Sequence, residues 1–232
     1  MSKTAILVDG GFFRMRTSVL YGNHSARETA DALSAYCKRH LNEHGIIHEL
    51  YRIYYYDCPP ADKQVFHPLL QKTINLKATD KYKWSCEFLT ELKKKRKFAL
   101  RLGILDVENT IYTLNYNAVK KICTGAKTQS SLISQDFELQ IAQKGVDMKI
   151  GIDIATLTYN KLVDQIVLIG NDRDFVPALK LARTGGIDII LDTLGAELSD
   201  DNPLVEHIDG LRSCGDPFAR GKKQNHQAEQ QP

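Results

Sequence analysis

Gln165-Ile166-Val167-Leu168-Ile169-Gly170-Asn171-Asp172-Arg173-Asp174-Phe175 contains the junction that sets the fold class of this 232-residue chain. Its first half is a short, almost continuous apolar run, the signature of a strand covered on both faces in a parallel sheet. Its second half turns abruptly acidic. A helix is predicted from about Phe175 to Arg183, with Pro177 in its first turn, where a missing N–H costs nothing, and Gly185-Gly186 as its stop. The same layout opens the chain. Thr4-Ala5-Ile6-Leu7-Val8 is apolar, Asp9 ends it, and Gly10-Gly11 follows.

Between these two junctions, strand signals alternate with helical stretches, the pattern of βαβ units. A helix is predicted over Thr29–His44 and strands over His48–Tyr56, Phe98–Val107 and Ile187–Leu191. Ala61–Lys97 reads as a mostly helical, basic insertion, and Leu132–Ala142 as a possible helix after a loop at Thr124–Ser131. Val146–Leu162 carries Ile150, Ile154 and Leu157 on one side and Met148, Ile152, Ala155 and Tyr159 on the other. A helix apolar on both sides is expected to be buried. The fold class is therefore α/β with a central, mostly parallel sheet: one domain over residues 1–212 with the insertion at about 61–97, and a polar, disordered tail over 213–232.

Composition excludes several classes. Hydrophobic residues make up 43% and charged residues 25%, as in an ordinary globular domain. No apolar run approaches the roughly 20 residues of a membrane span, and the N-terminus turns acidic too soon for a signal peptide. Five scattered cysteines with no C-x-x-C spacing argue against a zinc site or disulfide framework and for a cytoplasmic location. A net charge of +3 permits a polyanionic partner without demanding one.

Asp9, Asp172 and Asp174 lie where strands run out, and Asp147 and Asp153 lie on a helix read as buried. Any one of them alone would be an ordinary turn residue or helix cap. Ligands of open α/β sheets bind beyond the carboxyl ends of the strands. Carboxylates gathered there repel unless a cation or a proton intervenes, and oxygen-rich sites suit hard ions such as Mg²⁺. The expected chemistry is metal-dependent hydrolysis of phosphate esters. No Ser or Cys elbow with a paired His offers a covalent alternative.

Ile6-Leu7-Val8-Asp9-Gly10, Lys144-Gly145-Val146-Asp147, Asp153 and Gly170-Asn171-Asp172-Arg173-Asp174-Phe175 resemble the motifs of NYN-domain proteins, PIN-like nucleases, here of the LabA-like bacterial type. The resemblance covers about residues 3 to 195, with the acids in the family's order, and Tyr55–Pro60 also looks like a family feature. It departs at Gly11-Phe12-Phe13, where many relatives carry Asn, and at Gly170-Asn171, where Ser-Gly is common. It implies a PIN-like three-layer α/β/α sandwich and metal-dependent cleavage of phosphodiester bonds, most often in RNA, single-stranded or structured. It further implies Mg²⁺ or Mn²⁺ on Asp9, Asp147, Asp172 and Asp174, with Asp153 a fifth catalytic candidate. Asp147 and Asp153 are separated by about 9 Å of rise if they share one helix. Either Asp147 then precedes the helix or the two serve different ions or shells.

Arg14, Arg16, Lys144, Lys149, Asn171 and Arg173 are candidates for substrate contact, since phosphate contacts supply most nucleic-acid affinity. Lys93–Lys97 is a weaker candidate, and Phe12-Phe13 reads as core rather than as a stacking platform. Nothing visibly reads a 2′-hydroxyl, so DNA stays open as a substrate, as does a homo-oligomeric state. Two rivals stand beside the nuclease reading: a catalytically weak RNA-binding or regulatory module, and a haloacid-dehalogenase-like phosphatase. The phosphatase needs Asp-x-Asp after the first strand, and Asp9-Gly10-Gly11 lacks the second acid.

Overall fold

The computed structural model describes residues 2–43, 45–199 and 201–219. Six strands form one sheet: β1 (Lys3–Asp9), β2 (Glu49–Asp57), β3 (Phe98–Leu102), β4 (Gln165–Ile169), β5 (Asp188–Asp192) and β6 (Gly210–Leu211). They lie in the order β3-β2-β1-β4-β5-β6, and every pairing between neighbours is parallel. The chain builds outward from β1 to β3, then crosses to the other side of β1 to lay down β4. The β1–β4 junction is therefore the switch point of a doubly wound sheet, where a crevice opens beyond the strand ends.

Helices cover both faces. On one side lie α1 (Gly10–Tyr21), α2 (Ala26–Arg39) and α3 (Asp80–Lys93); α4 (Tyr116–Cys123) belongs to an outer lobe; α5 (Val146–Tyr159) and α6 (Val176–Thr184) cover the other side. The period-2 alternation of the strands supplies both cores. Ala5 and Leu7 of β1 point to α5 and α6, joining Ile150, Ile154, Leu157 and Leu179. Ile6 and Val8 point the opposite way, joining Phe13, Leu33, Tyr36 and Phe88 from α1, α2 and α3. That produces the three-layer α/β/α sandwich expected from the sequence.

Several local expectations change. The helix α2 ends at Arg39, ahead of the expected His44, which lies outside the described residues. Ala61–Lys97 is only partly helical, for Gln64–His67 and Lys72–Asn75 form an antiparallel hairpin before α3 begins. Leu132–Ala142 is not a helix: Phe137–Gln140 pairs antiparallel with Ile111–Leu114. The two excursions meet through the His67 ring, 4.6 Å from Tyr112 and 5.1 Å from Phe137. They make a lobe above the carboxyl ends of β2 and β3.

The helix α5 is buried on one side only. Met148, Ile152 and Tyr159 are 68%, 56% and 75% exposed, so its second apolar face meets solvent. The tail is not wholly disordered as expected from Cys214 onward. Arg39 donates to the carbonyls of Cys214 and Pro217, and Phe218 stacks on His24 at 3.8 Å; residues 220–232 lie outside the described set. Among the described residues, no helix is long and apolar enough to cross a membrane.

Candidate metal centre

Every central strand ends in acid. Asp9 closes β1, Asp57 closes β2, Asp192 closes β5, and Asp172 follows β4 by a short turn. What separates them is whether the fold supplies a partner. Asp192 is fully buried and accepts hydrogen bonds from the Tyr36 hydroxyl at 2.5 Å, His40 Nε2 at 2.8 Å, the Leu194 N–H at 2.7 Å and the Ser213 hydroxyl at 2.6 Å. Asp57 is also buried. Arg14 grips both its oxygens at 3.0 Å, Tyr55 donates at 2.9 Å and the Cys58 N–H at 2.7 Å. These two acids are neutralised or saturated from within, as buried carboxylates must be.

Asp147, Asp172 and Asp174 differ. Each is exposed and offers a carboxylate oxygen, and the three oxygens lie within 4.8 Å of one another. No Lys, Arg or His forms an ion pair with them among the described residues. Partial burial raises the Asp147 carboxyl above its ordinary pKa, and the charges of Asp172 and Asp174 push it the same way. Asp9 sits just behind the trio. A Cβ on Gly170 would lie 3.5 Å from the Asp9 Cβ, so the ends of β1 and β4 nearly touch. Burial raises the Asp9 pKa too; the Phe12 and Gly11 N–H groups oppose this, while the charges of Asp147 and Asp57 reinforce it.

Backbone construction explains the motifs around these acids. Asp9 caps α1 by accepting the Phe12 N–H at 3.0 Å. Gly10 must be glycine, because a Cβ there would fall 2.4 Å from the Tyr55 ring and 2.6 Å from the Tyr56 carbonyl. Gly145 enters α5 in the left-handed region at φ 78°, which glycine adopts without cost. Asp147 then falls in the first turn of α5, where the helix dipole favours a negative charge. Asp172 caps the single 3₁₀ turn Arg173–Phe175 by accepting the Asp174 N–H at 2.9 Å, turning both carboxylates outward together.

The residues fit a hard divalent cation. All donors are oxygens; on octahedral Mg²⁺ neighbouring ligands stand about 3.0 Å apart and opposite ones about 4.2 Å, so the trio's oxygens, within 4.8 Å of one another, would draw together on an ion. A further oxygen nearby lacks a partner: Asn171 Oδ1 is shut off from solvent and meets no hydrogen-bond donor among the described residues. When bound, such an ion polarises a phosphate oxygen and makes an attacking water more acidic.

The other expected residues scatter. Asp147 lies in α5 rather than before it, so Asp153 is about two turns away on the same helix. Asp153 accepts the Tyr56 hydroxyl at 2.9 Å and Arg101 Nε at 2.8 Å. It braces α5 against β2 and β3 and does not join the trio. Lys144 is exposed and paired with Asp106 at 2.7 Å, and Arg16 leans on the Leu194 carbonyl at 3.4 Å. Arg173 is exposed beside the acids. Phe13 is core, as expected. The Lys93–Lys97 run precedes β3, whose Phe98 pairs with Ile53, four residues or about 13 Å below Asp57. It lies at the wrong end of the sheet to reach the acids, and Lys94 and Lys95 are occupied by Glu91 and Asp31. Asp57 was missed by sequence reasoning although it carries the same signal as Asp9, an acid closing an apolar strand.

Comparison with known proteins decides the family. The NYN-domain family model matches residues 3–202. The chain belongs to the NYN-domain family. That family is of the PIN-like nuclease kind, and the six-stranded parallel sheet with helices on both faces agrees with its fold. An uncharacterized protein of Methanocaldococcus jannaschii is 29% identical over 132 residues, 57% of this chain and 51% of its own length. The match thus spans about half of that relative. A crystal structure of a protein of unknown function from Vibrio parahaemolyticus aligns over 94% of this chain and 95% of its own at 13% identity, with a TM-score of 0.47.

Proposed function

We propose that this NYN domain is a nuclease that hydrolyses phosphodiester bonds in single-stranded RNA with Mg²⁺ or Mn²⁺ held by Asp147, Asp172 and Asp174. One observation carries the proposal: these carboxylates converge at the switch point of the sheet without a cationic side chain paired to them among the described residues, whereas Asp57 and Asp192 at neighbouring strand ends are fully partnered. A structural role for the trio would leave that contrast unexplained, because uncompensated like charges only cost stability.

In this reading the trio holds the cation, and Asp9 adds negative charge behind it. Arg173 neutralises a phosphate flanking the cut, and Arg14, fixed by Asp57, offers a phosphate oxygen the N–H donors that Asp57 leaves over, since a rigid guanidinium fork matches phosphate oxygens. Lys144 can swing from Asp106 toward the strand, being largely exposed. Asn171 Oδ1, unpartnered but shut off from solvent, would accept from a sugar hydroxyl only after its side chain turns outward. All described cysteines are free, in keeping with a cytoplasmic setting.

The test is turnover of a 5′-labelled single-stranded RNA in MnCl₂, MgCl₂ and EDTA, for the wild type and Asp172→Asn. Cleavage that needs a divalent ion and vanishes in the variant supports the proposal. Tight RNA binding without cleavage in any metal would instead make this a regulatory binding module.

A further inference from the structure

Beside the acids lies a cavity of about 640 Å³, walled by α1, the start of α2, the first turns of α3 and the tail segment at Phe218. Its size falls within the roughly 300–1,000 Å³ of small-ligand sites. It approaches the candidate centre at one edge: Gly11 lines it, and a Cβ on Gly11 would stand 3.4 Å from Asp9 Oδ1, although none of Asp147, Asp172 and Asp174 lines it. Arg14 lines it as well, held in place by Asp57.

The walls divide by chemistry. One side carries the basic residues Arg14, whose charge is shared with Asp57, and Lys81, with Asp80 beside it. The other walls include aromatic rings. Trp84 is backed by Phe88, with ring centroids 5.0 Å apart and planes inclined by 14°, and its Nε1 donates to the His24 carbonyl at 2.9 Å. The His24 ring lies nearly parallel to Phe218. Asn23 and Ser18, joined by a 2.8 Å hydrogen bond, add polar edges. These rings are anchored by hydrogen bonds and stacking, so little order is lost when a flat ligand enters.

We propose that this cavity is a nucleoside-binding subsite, which takes the base next to the cleaved bond against Trp84 while Arg14 and Lys81 take its phosphate. The inference rests on the nuclease reading and adds to it the place where the single strand is held. Basic side chains beside stacked aromatic rings match the two ends of a nucleotide better than they match a bare anion or an apolar ligand. Stacking of this kind tolerates any base, so the subsite grips without reading sequence.

Trp84 is the chain's one tryptophan, so its emission reports on this cavity alone. Adenosine 5′-monophosphate titrated into the wild type in EDTA should change that emission saturably, while inorganic phosphate at the same concentrations should not. Ser18→Phe, at an exposed position on α1, should fill the cavity, abolish the response and raise KM for labelled RNA more than it lowers kcat. Trp84→Ala should weaken oligonucleotide binding to Asp172→Asn protein by roughly 10- to 100-fold. An emission unaffected by the nucleotide, an equal response to phosphate, or an unaltered KM in Ser18→Phe would each overturn the subsite. If RNA is not cleaved but the nucleotide response is present and lost in Ser18→Phe, the subsite stands and the nuclease reading falls. If RNA is cleaved with no nucleotide response, the reverse holds.

Discussion

Replacing Asp172 by Asn should stabilise the protein in EDTA and destabilise it, relative to wild type, in Mn²⁺. The substitution preserves shape and the oxygen that accepts the Asp174 N–H. What it removes is charge. Two unit charges 4.8 Å apart, the outer limit for the trio's oxygens, repel by roughly 0.9 kcal/mol in a water-like dielectric and roughly 3.5 kcal/mol at an effective dielectric of 20. All three groups are exposed, so the lower figure governs, and salt screens it further. Asp172→Asn deletes two of the three repulsive pairs, a gain of about 1–2 kcal/mol, or roughly 2–8 °C in Tm for a chain of this length. The wild type, in contrast, gains about 2.7 kcal/mol from an ion at one hundred times its Kd, and the variant, lacking a central ligand, gains far less. The two melting curves should therefore exchange order between EDTA and Mn²⁺, measured by differential scanning fluorimetry in low salt. A variant that melts below wild type in EDTA would refute the repulsion argument. Equal Mn²⁺ responses would remove Asp172 from the ion.

The raised carboxyl groups of Asp9 and Asp147 carry a pH signature. A group whose folded pKa lies above its unfolded value contributes stability that is complete below the unfolded pKa, near 3.8 here, and is lost as pH rises through the folded pKa. In EDTA, Asp9→Asn should thus gain on wild type as pH rises from about 4 to 7, with the Asn still able to cap α1; a Tm difference independent of pH would contradict the shift. Arg14→Met strands the buried Asp57 carboxylate and should cost about 2–4 kcal/mol in urea unfolding, less than a fully buried pair because Arg14 is 27% exposed. A change under about 0.5 kcal/mol would mean that Asp57 finds water instead. Asp153→Asn weakens the tie to Tyr56 and Arg101 and should lower stability by about 1–2 kcal/mol while folded molecules cleave RNA as wild type does. A loss approaching that of Asp172→Asn would bring Asp153 into the chemistry.

The three-layer fold was readable because its central strands are unbroken apolar runs: Ala5–Val8 and Ile166–Ile169 are fully buried, and only a two-faced parallel sheet demands that. The acids at Asp9, Asp172 and Asp174 were readable for a related reason, since charge directly after such a run must lie at the strand's end. Apolar count along α5 misled, because Met148, Ile152 and Tyr159 resemble core residues until packing leaves them in solvent. The same misreading made Asp153 look buried for function, when Arg101 and Tyr56 account for it. Phe137–Gln140 pairs only with Ile111–Leu114, a tertiary contact that local pattern cannot reveal. Asp57 and Asp192 show that a strand-end acid is half of the signal; the other half, a partner such as Arg14 or His40, comes from a different element.

The central claim is that Asp147, Asp172 and Asp174 share a divalent cation, and a crystal soaked in MnCl₂ with data collected for manganese anomalous scattering tests it most directly. The account predicts an anomalous peak bonded to oxygens of all three carboxylates, at about 2.2 Å, with Asp9 behind it. A fully soaked crystal with no peak there, or with manganese only at Asp153 or elsewhere on the surface, would contradict it.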